Sequence, residues 1–124
     1  PAERFGIMLS TEILFPSSPN WYVAHLIDAL PNGTVAVATN QAVTVLDGTT
    51  RRVLGLCGLK GRLTGVAVGS RHLCACQADR FVHAFDVSTL LPVGHHKDHH
   101  AEPSAIVVLQ AVCISGDKKG TICF

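Results

Sequence analysis

The densest group of chemistry-bearing side chains is Gly94-His95-His96-Lys97-Asp98-His99-His100, in which four imidazoles and one carboxylate fall within six positions. Imidazole with carboxylate is a workable donor set for zinc or nickel. The spacing matches no rigid site, so His95 to His100 read as a solvated loop with at most adventitious affinity, and no metal is assigned. Cys57, just ahead of Gly58, is the thiol nearest a loop. As a nucleophile it would need a positioned base, and the sequence names none. Gly116-Asp117-Lys118-Lys119-Gly120-Thr121 has glycines and lysines but leads into a strand, without the helix N-terminus that helps to hold phosphate. The patterns Gly-x-Ser-x-Gly, Gly-x-x-x-x-Gly-Lys-Ser/Thr and His-Glu-x-x-His do not occur. No catalytic or cofactor-binding residue is assigned, no cofactor is expected, and the chain is read as not an enzyme.

The elements that carry these residues recur at a fixed interval. Val43-Thr44-Val45-Leu46-Asp47 is answered by Val82-His83-Ala84-Phe85-Asp86, and then, at the same spacing, by Thr121-Ile122-Cys123-Phe124. Thr11, Thr50 and Thr89 share the interval, as do Ile27/Val66/Ala105, Ala29/Val68/Val107 and Val35/Cys74/Cys113. A period of this size marks a repeat architecture. One period holds four short apolar runs, 63–68, 72–76, 81–85 and 90–94, separated by turn residues and too short for helices. The preceding period repeats them at 34–38, 43–46 and 51–56, with Asn32-Gly33 supplying the positive φ values of a tight hairpin. Four strands per period of this length make a propeller blade. In 21–30 the apolar residues follow helical spacing, but the period aligns 25–30 with the innermost strand of the next blade, and strand is expected. The fold class is therefore all-β: β-propeller blades of four antiparallel strands, about 39 residues per repeat, in an incomplete ring. Residues 1–124 form part of one propeller domain, with blade boundaries near 1–20, 21–57, 58–96 and 97–124.

Gly58-Leu59-Lys60-Gly61-Arg62-Leu63-Thr64-Gly65-Val66-Ala67-Val68, then Leu73, Ala75 and Asp79, then Val82 to Asp86, resembles a WD repeat, with Leu59 where that family often has His and Phe85 where it often has Trp. The same stretch is similar to an NHL repeat in Gly65 to Val68, Ala75 and Phe85-Asp86. Residues 116–124 favour the WD pattern, on an alignment shifted by one residue from the strict period. The resemblance implies that Asp79 accepts hydrogen bonds from turn amides and a buried network and braces its blade. Asp47 and Asp86, after the third strand, read as turn residues binding the amides that follow.

Length leaves the ring open. A chain of 124 residues holds about three blades, whereas propellers close with four to eight. The economical reading is a portion of a longer polypeptide, or a chain completed by other copies. Hydrophobic residues at 48% against 15% charged exclude a disordered chain, and no apolar run reaches membrane-spanning length. No leader pattern is present, so the chain is expected to be soluble and unprocessed. Five cysteines, an odd number without framework spacing, read as free thiols in a reducing compartment, cytoplasmic or else nuclear.

What remains is the rim where inter-blade loops and second-to-third-strand loops meet. It carries Trp21, Tyr22, Lys60, Arg62, Arg80, Phe81, His95 to His100, Lys118 and Lys119. Aromatic residues and Arg are enriched at binding hot spots. The function expected is a non-catalytic scaffold for protein partners, including further blades or other copies. An NHL-like RNA-binding propeller ranks lower because the net charge is only +1. A substrate-recognition propeller of a ubiquitin ligase or of a kinase-associated multidomain protein is the other alternative.

Overall fold

The computed structural model describes residues 26–39 and 42–124, so Trp21 and Tyr22 lie outside the described residues. Eleven strands and no helix occur among them: β1 Ile27–Ala29, β2 Thr34–Thr39, β3 Ala42–Asp47, β4 Val53–Gly58, β5 Leu63–Val68, β6 His72–Gln77, β7 Val82–Asp86, β8 Pro92–His96, β9 Pro103–Leu109, β10 Val112–Asp117 and β11 Ile122–Cys123. They form three antiparallel meanders, β1-β2-β3-β4, β5-β6-β7-β8 and β9-β10-β11, which do not close into a ring. The strand reading of the segment before Pro31 holds for β1, which pairs with β2.

Burial is greatest in the middle blade and falls there from the inner strand outward. Every residue of β5 is buried, because the middle blade is packed on both faces, whereas four of the five residues of the outer strand β8 are exposed. Ala36, Ala38, Val43 and Val45 of the first blade share one core with Leu63, Val66, Leu73 and Phe85 of the second. Polar ties accompany this packing. The Val68 amide donates to the Asp28 carboxylate at 2.8 Å across the first pair of blades, and the Thr64 hydroxyl donates to the Pro103 carbonyl at 2.6 Å across the second.

Glycine sets how closely the blades approach. A Cβ on Gly69 would lie 2.7 Å from Val108 Cγ1 of the third blade, inside van der Waals contact. In the turn after β1, only Gly33 takes positive φ, at 98°. This corrects the expectation for Asn32-Gly33. Asn32 contributes through its side chain, whose oxygen accepts the Thr34 amide at 3.0 Å.

The strict period also needs correction. Between the first two blades the interval read from the sequence holds for the third strands, where Leu46 and Phe85 match, but it is one position shorter for the second strands, so that Val35 matches Leu73 rather than Cys74. Between the second and third blades it is one position longer: Cys76 pairs with Val82 as Gly116 pairs with Ile122. Both inner strands carry a bulge at the same place, opposite Gln77 in one blade and Asp117 in the other. Phe124 is thus the counterpart of Ala84 rather than of Phe85, and Val66 matches Ile106 rather than Ala105.

Candidate functional site

The rim is built where the loop entering each blade meets the turn between its second and third strands. In the third blade this junction is organised by Asp117. Its Oδ1 accepts the amides of Lys119 at 2.9 Å and Thr121 at 3.1 Å, and its Oδ2 accepts those of His100 at 3.0 Å and Ala101 at 3.3 Å. His99 Nδ1 lies 3.0 Å from the same oxygen, and His99 Nε2 lies 2.6 Å from Ser115 Oγ. With the proton on Nδ1, His99 donates to Asp117 and accepts from Ser115. Burial works to raise the Asp117 pKa, but the Thr121 amide, His99, and the Lys119 and His100 amides outweigh it and hold the carboxyl well below the usual range.

Serine, histidine and aspartate in this order of contact are the parts of a nucleophilic triad. Here they are enclosed: Ser115 is 2% exposed and His99 3%. The arrangement ties the entering loop to the hairpin. It also corrects the reading of His95 to His100 as one solvated loop. His95 and His96 belong to β8, His99 is buried, and His100 Nδ1 meets Thr121 Oγ1 at 2.9 Å. Among the described residues, no three His, Cys, Asp or Glu side chains converge to hold a metal ion.

In the second blade the matching position is Gln77, buried at the end of β6. Its amide nitrogen donates to the Lys60 carbonyl, and its Oε1 accepts from His83 Nε2 at 2.8 Å. Asp79 is exposed and accepts the Phe81 amide at 3.2 Å, so it shapes the turn while the buried tie belongs to Gln77. That corrects the network role read for Asp79. Asp47 and Asp86 sit at the start of matching turns. Asp47 Oδ1 accepts the amides of Thr49 and Thr50 at 2.8 and 3.2 Å, and Asp86 Oδ1 those of Ser88 and Thr89 at 2.9 and 3.0 Å.

The other rim residues separate into three places. Lys60 and Phe81 line a groove of about 480 Å³ with Leu59, Asp79, His83 and His95. Phe81 stacks on His83 with ring centroids 5.4 Å apart, and His95 stands 5.7 Å from His83. Lys97 Nζ lies 5.1 Å above the Phe81 ring. Burial, then the neighbouring His95, lowers the His83 pKa against the opposing pull of Asp79. Arg62 pairs with Glu102 at 2.9 Å, bridging the second and third blades. Lys118 and Lys119 are exposed on the hairpin between β10 and β11. Nothing in the sequence singles out His83, His95, Lys97 and Gln77 as a group; alternation along β7 and β8 puts His83 and His95 side by side, and their pairing in register is the signal that points to them.

The thiols are packing elements. Cys57, the nucleophile candidate, is 2% exposed, contacts the Leu90 carbonyl at 3.9 Å, and is pushed up to about 11 by burial. A thiol with so high a pKa is protonated and inert at neutral pH. Cys74 and Cys76 lie in β6 and Cys113 in β10; contact with Cys113 and burial both raise Cys74.

No family model matches the chain. It is similar to Gem-associated protein 5 of Homo sapiens, with 32% identity, and of Mus musculus, with 30% identity, over 86% of this chain in each case. The chain spans 8% of the length of those relatives. Among solved structures, a chain of the Mitotic Checkpoint Complex aligns with a TM-score of 0.70 at 18% identity, covering 94% of this chain and 42% of that one. The computationally designed Ika4 protein aligns with a TM-score of 0.69 at 24% identity, covering 78% of this chain and 61% of that one. Together with the three meanders, these likenesses support a WD-type propeller.

Proposed function

We propose that this chain is a non-catalytic propeller portion that serves as a protein-interaction scaffold within a larger protein or complex. The observation that carries the reading is where the polar chemistry points. The Ser115–His99–Asp117 and Gln77–His83 ties are directed inward to fix loops, while Lys60, Arg80, Lys118 and Lys119 are left on the exposed rim. Rigid loops held on a β scaffold are the usual site of recognition. The similar protein is by its name Gem-associated, and the checkpoint chain was solved within a complex. Both support a role in assembly. Five unbridged thiols fit a reducing compartment, and cytoplasm is the location proposed.

The test is capture on the immobilised chain from a cell extract, followed by lysine cross-linking and mass spectrometry. The expected result is a retained protein cross-linked through Lys60, Lys118 or Lys119. Retention of RNA instead, with affinity falling steeply as salt rises, would replace the scaffold by the nucleic-acid alternative.

A further inference from the structure

The groove on the second blade is distinguished from the rest of the rim by its walls, its charge and one strained residue. Its floor is apolar and aromatic: Leu59 and Phe85 with the stacked rings of Phe81 and His83 and the tilted ring of His95. Lys60 lines the groove, Lys97 lies over the Phe81 ring, and exposed Arg80 follows the one lining carboxylate, Asp79, which already accepts the Phe81 amide. Neighbouring Arg62 adds nothing to this excess because Glu102 pairs with it. Arg80 sits between two lining residues with φ 77°, in the left-handed region, whereas the matching hairpin of the third blade has Gly120 there with φ 86°. Arg51, Leu90 and Gln110 also take positive φ in other turns, so what sets Arg80 apart is that a glycine fills the matching position of the sister hairpin while here a cation is kept beside the groove.

We propose that this groove receives an acidic peptide segment of a protein partner, with an apolar or aromatic side chain seated among Phe81, His83 and His95 and its carboxylates facing Lys60, Arg80 and Lys97. The proposal rests on the scaffold reading and names the partner chemistry for one part of the rim. A peptide fits better than a polynucleotide, since the cations form a local cluster beside one short groove rather than a track along the rim. Aromatic floor and charged edge divide the work in the usual way, the floor supplying affinity and the edge supplying steering and selectivity.

The experiment is selection of a phage-displayed random peptide library on the full 124-residue chain. The best peptide, labelled with fluorescein, is then titrated by anisotropy against the wild type, Lys60→Glu/Lys97→Glu and Arg80→Gly, with a uridine-rich RNA oligonucleotide titrated in parallel. The expected peptides carry Asp or Glu around Trp, Phe or Leu. The double charge reversal should weaken them at least about tenfold. Arg80→Gly should weaken them severalfold while raising Tm, an outcome that unfolding cannot mimic. Peptides bound equally well by the double variant would overturn the groove assignment and leave the scaffold reading standing. Failure to enrich any peptide, while proteins still cross-link through Lys118 or Lys119, would do the same. RNA bound more tightly than every selected peptide and lost in the double variant would overturn both.

Discussion

Arg80 and Gly120 occupy one position in two sister hairpins, each with its amide bonded to the carbonyl three residues back, at 3.1 and 3.2 Å. The first carries left-handed strain that the second avoids. Arg80→Gly should therefore stabilise the fold by about 0.5–1 kcal/mol, the relief being partly offset by the added entropy of the unfolded chain. Thermal unfolding monitored by circular dichroism checks this, and a lowered Tm would mean that the Arg80 side chain makes contacts worth more than its strain. Residue roles are the least legible part of the sequence. Asp79 draws attention because its spacing to Phe85 fits a repeat pattern, yet the buried tie is made by Gln77, two positions earlier and at the strand end. Asp117 takes the same place in the third blade, which only the bulged register opposite both residues reveals.

At the level of elements, the turns after β3 and β7 are readable because Asp with Ser or Thr two and three positions on specifies its own geometry. The Ser88 hydroxyl, then the Thr89 and Ser88 amides, hold the Asp86 carboxyl down to about 2. A carboxyl whose folded pKa is depressed stabilises the fold above its ordinary pKa near 4 and loses that contribution as pH falls through the folded value. Tm should drop between about pH 4 and pH 2, and Asp86→Asn should flatten that drop; an unchanged slope would show that the Asp86 turn does not couple to folding. Strand positions are legible to within one or two residues from apolar runs and turn residues. How close two strands come is not, since nothing in Gly69 itself announces Val108. Gly69→Ala places a Cβ 2.7 Å from Val108 Cγ1 and should cost about 1–3 kcal/mol, recovered in part by Val108→Ala. Denaturant unfolding of the two single variants and the pair measures this coupling, and additive effects would show that the blades are farther apart than described.

On the scale of the whole molecule, the repeat is the strongest signal because every blade solves the same packing problem with the same alternation of apolar strand and polar turn. Its interval differs by a position or two between strands and between pairs of blades, because a bulge or a turn residue can be gained without disturbing the ladder. Burial is centred on the middle blade. Outward from it the third blade exposes Val107, Leu109, Val112 and Ile122 at 44, 58, 43 and 56%, and the outer strand of the first exposes Val53, Leu54 and Leu56 at 57, 60 and 62%. On the proposed reading, apolar surface of that extent on an open stack is interaction surface, to be covered by further blades, other copies or a partner. Sedimentation velocity over a range of concentrations tests this central claim most directly. The isolated chain should associate increasingly with concentration, and Val107→Lys/Leu109→Lys should reduce that association while strand content by circular dichroism is retained. A monodisperse monomer at every concentration, with the strand spectrum intact, would contradict the account of an open propeller portion built to be completed by other protein.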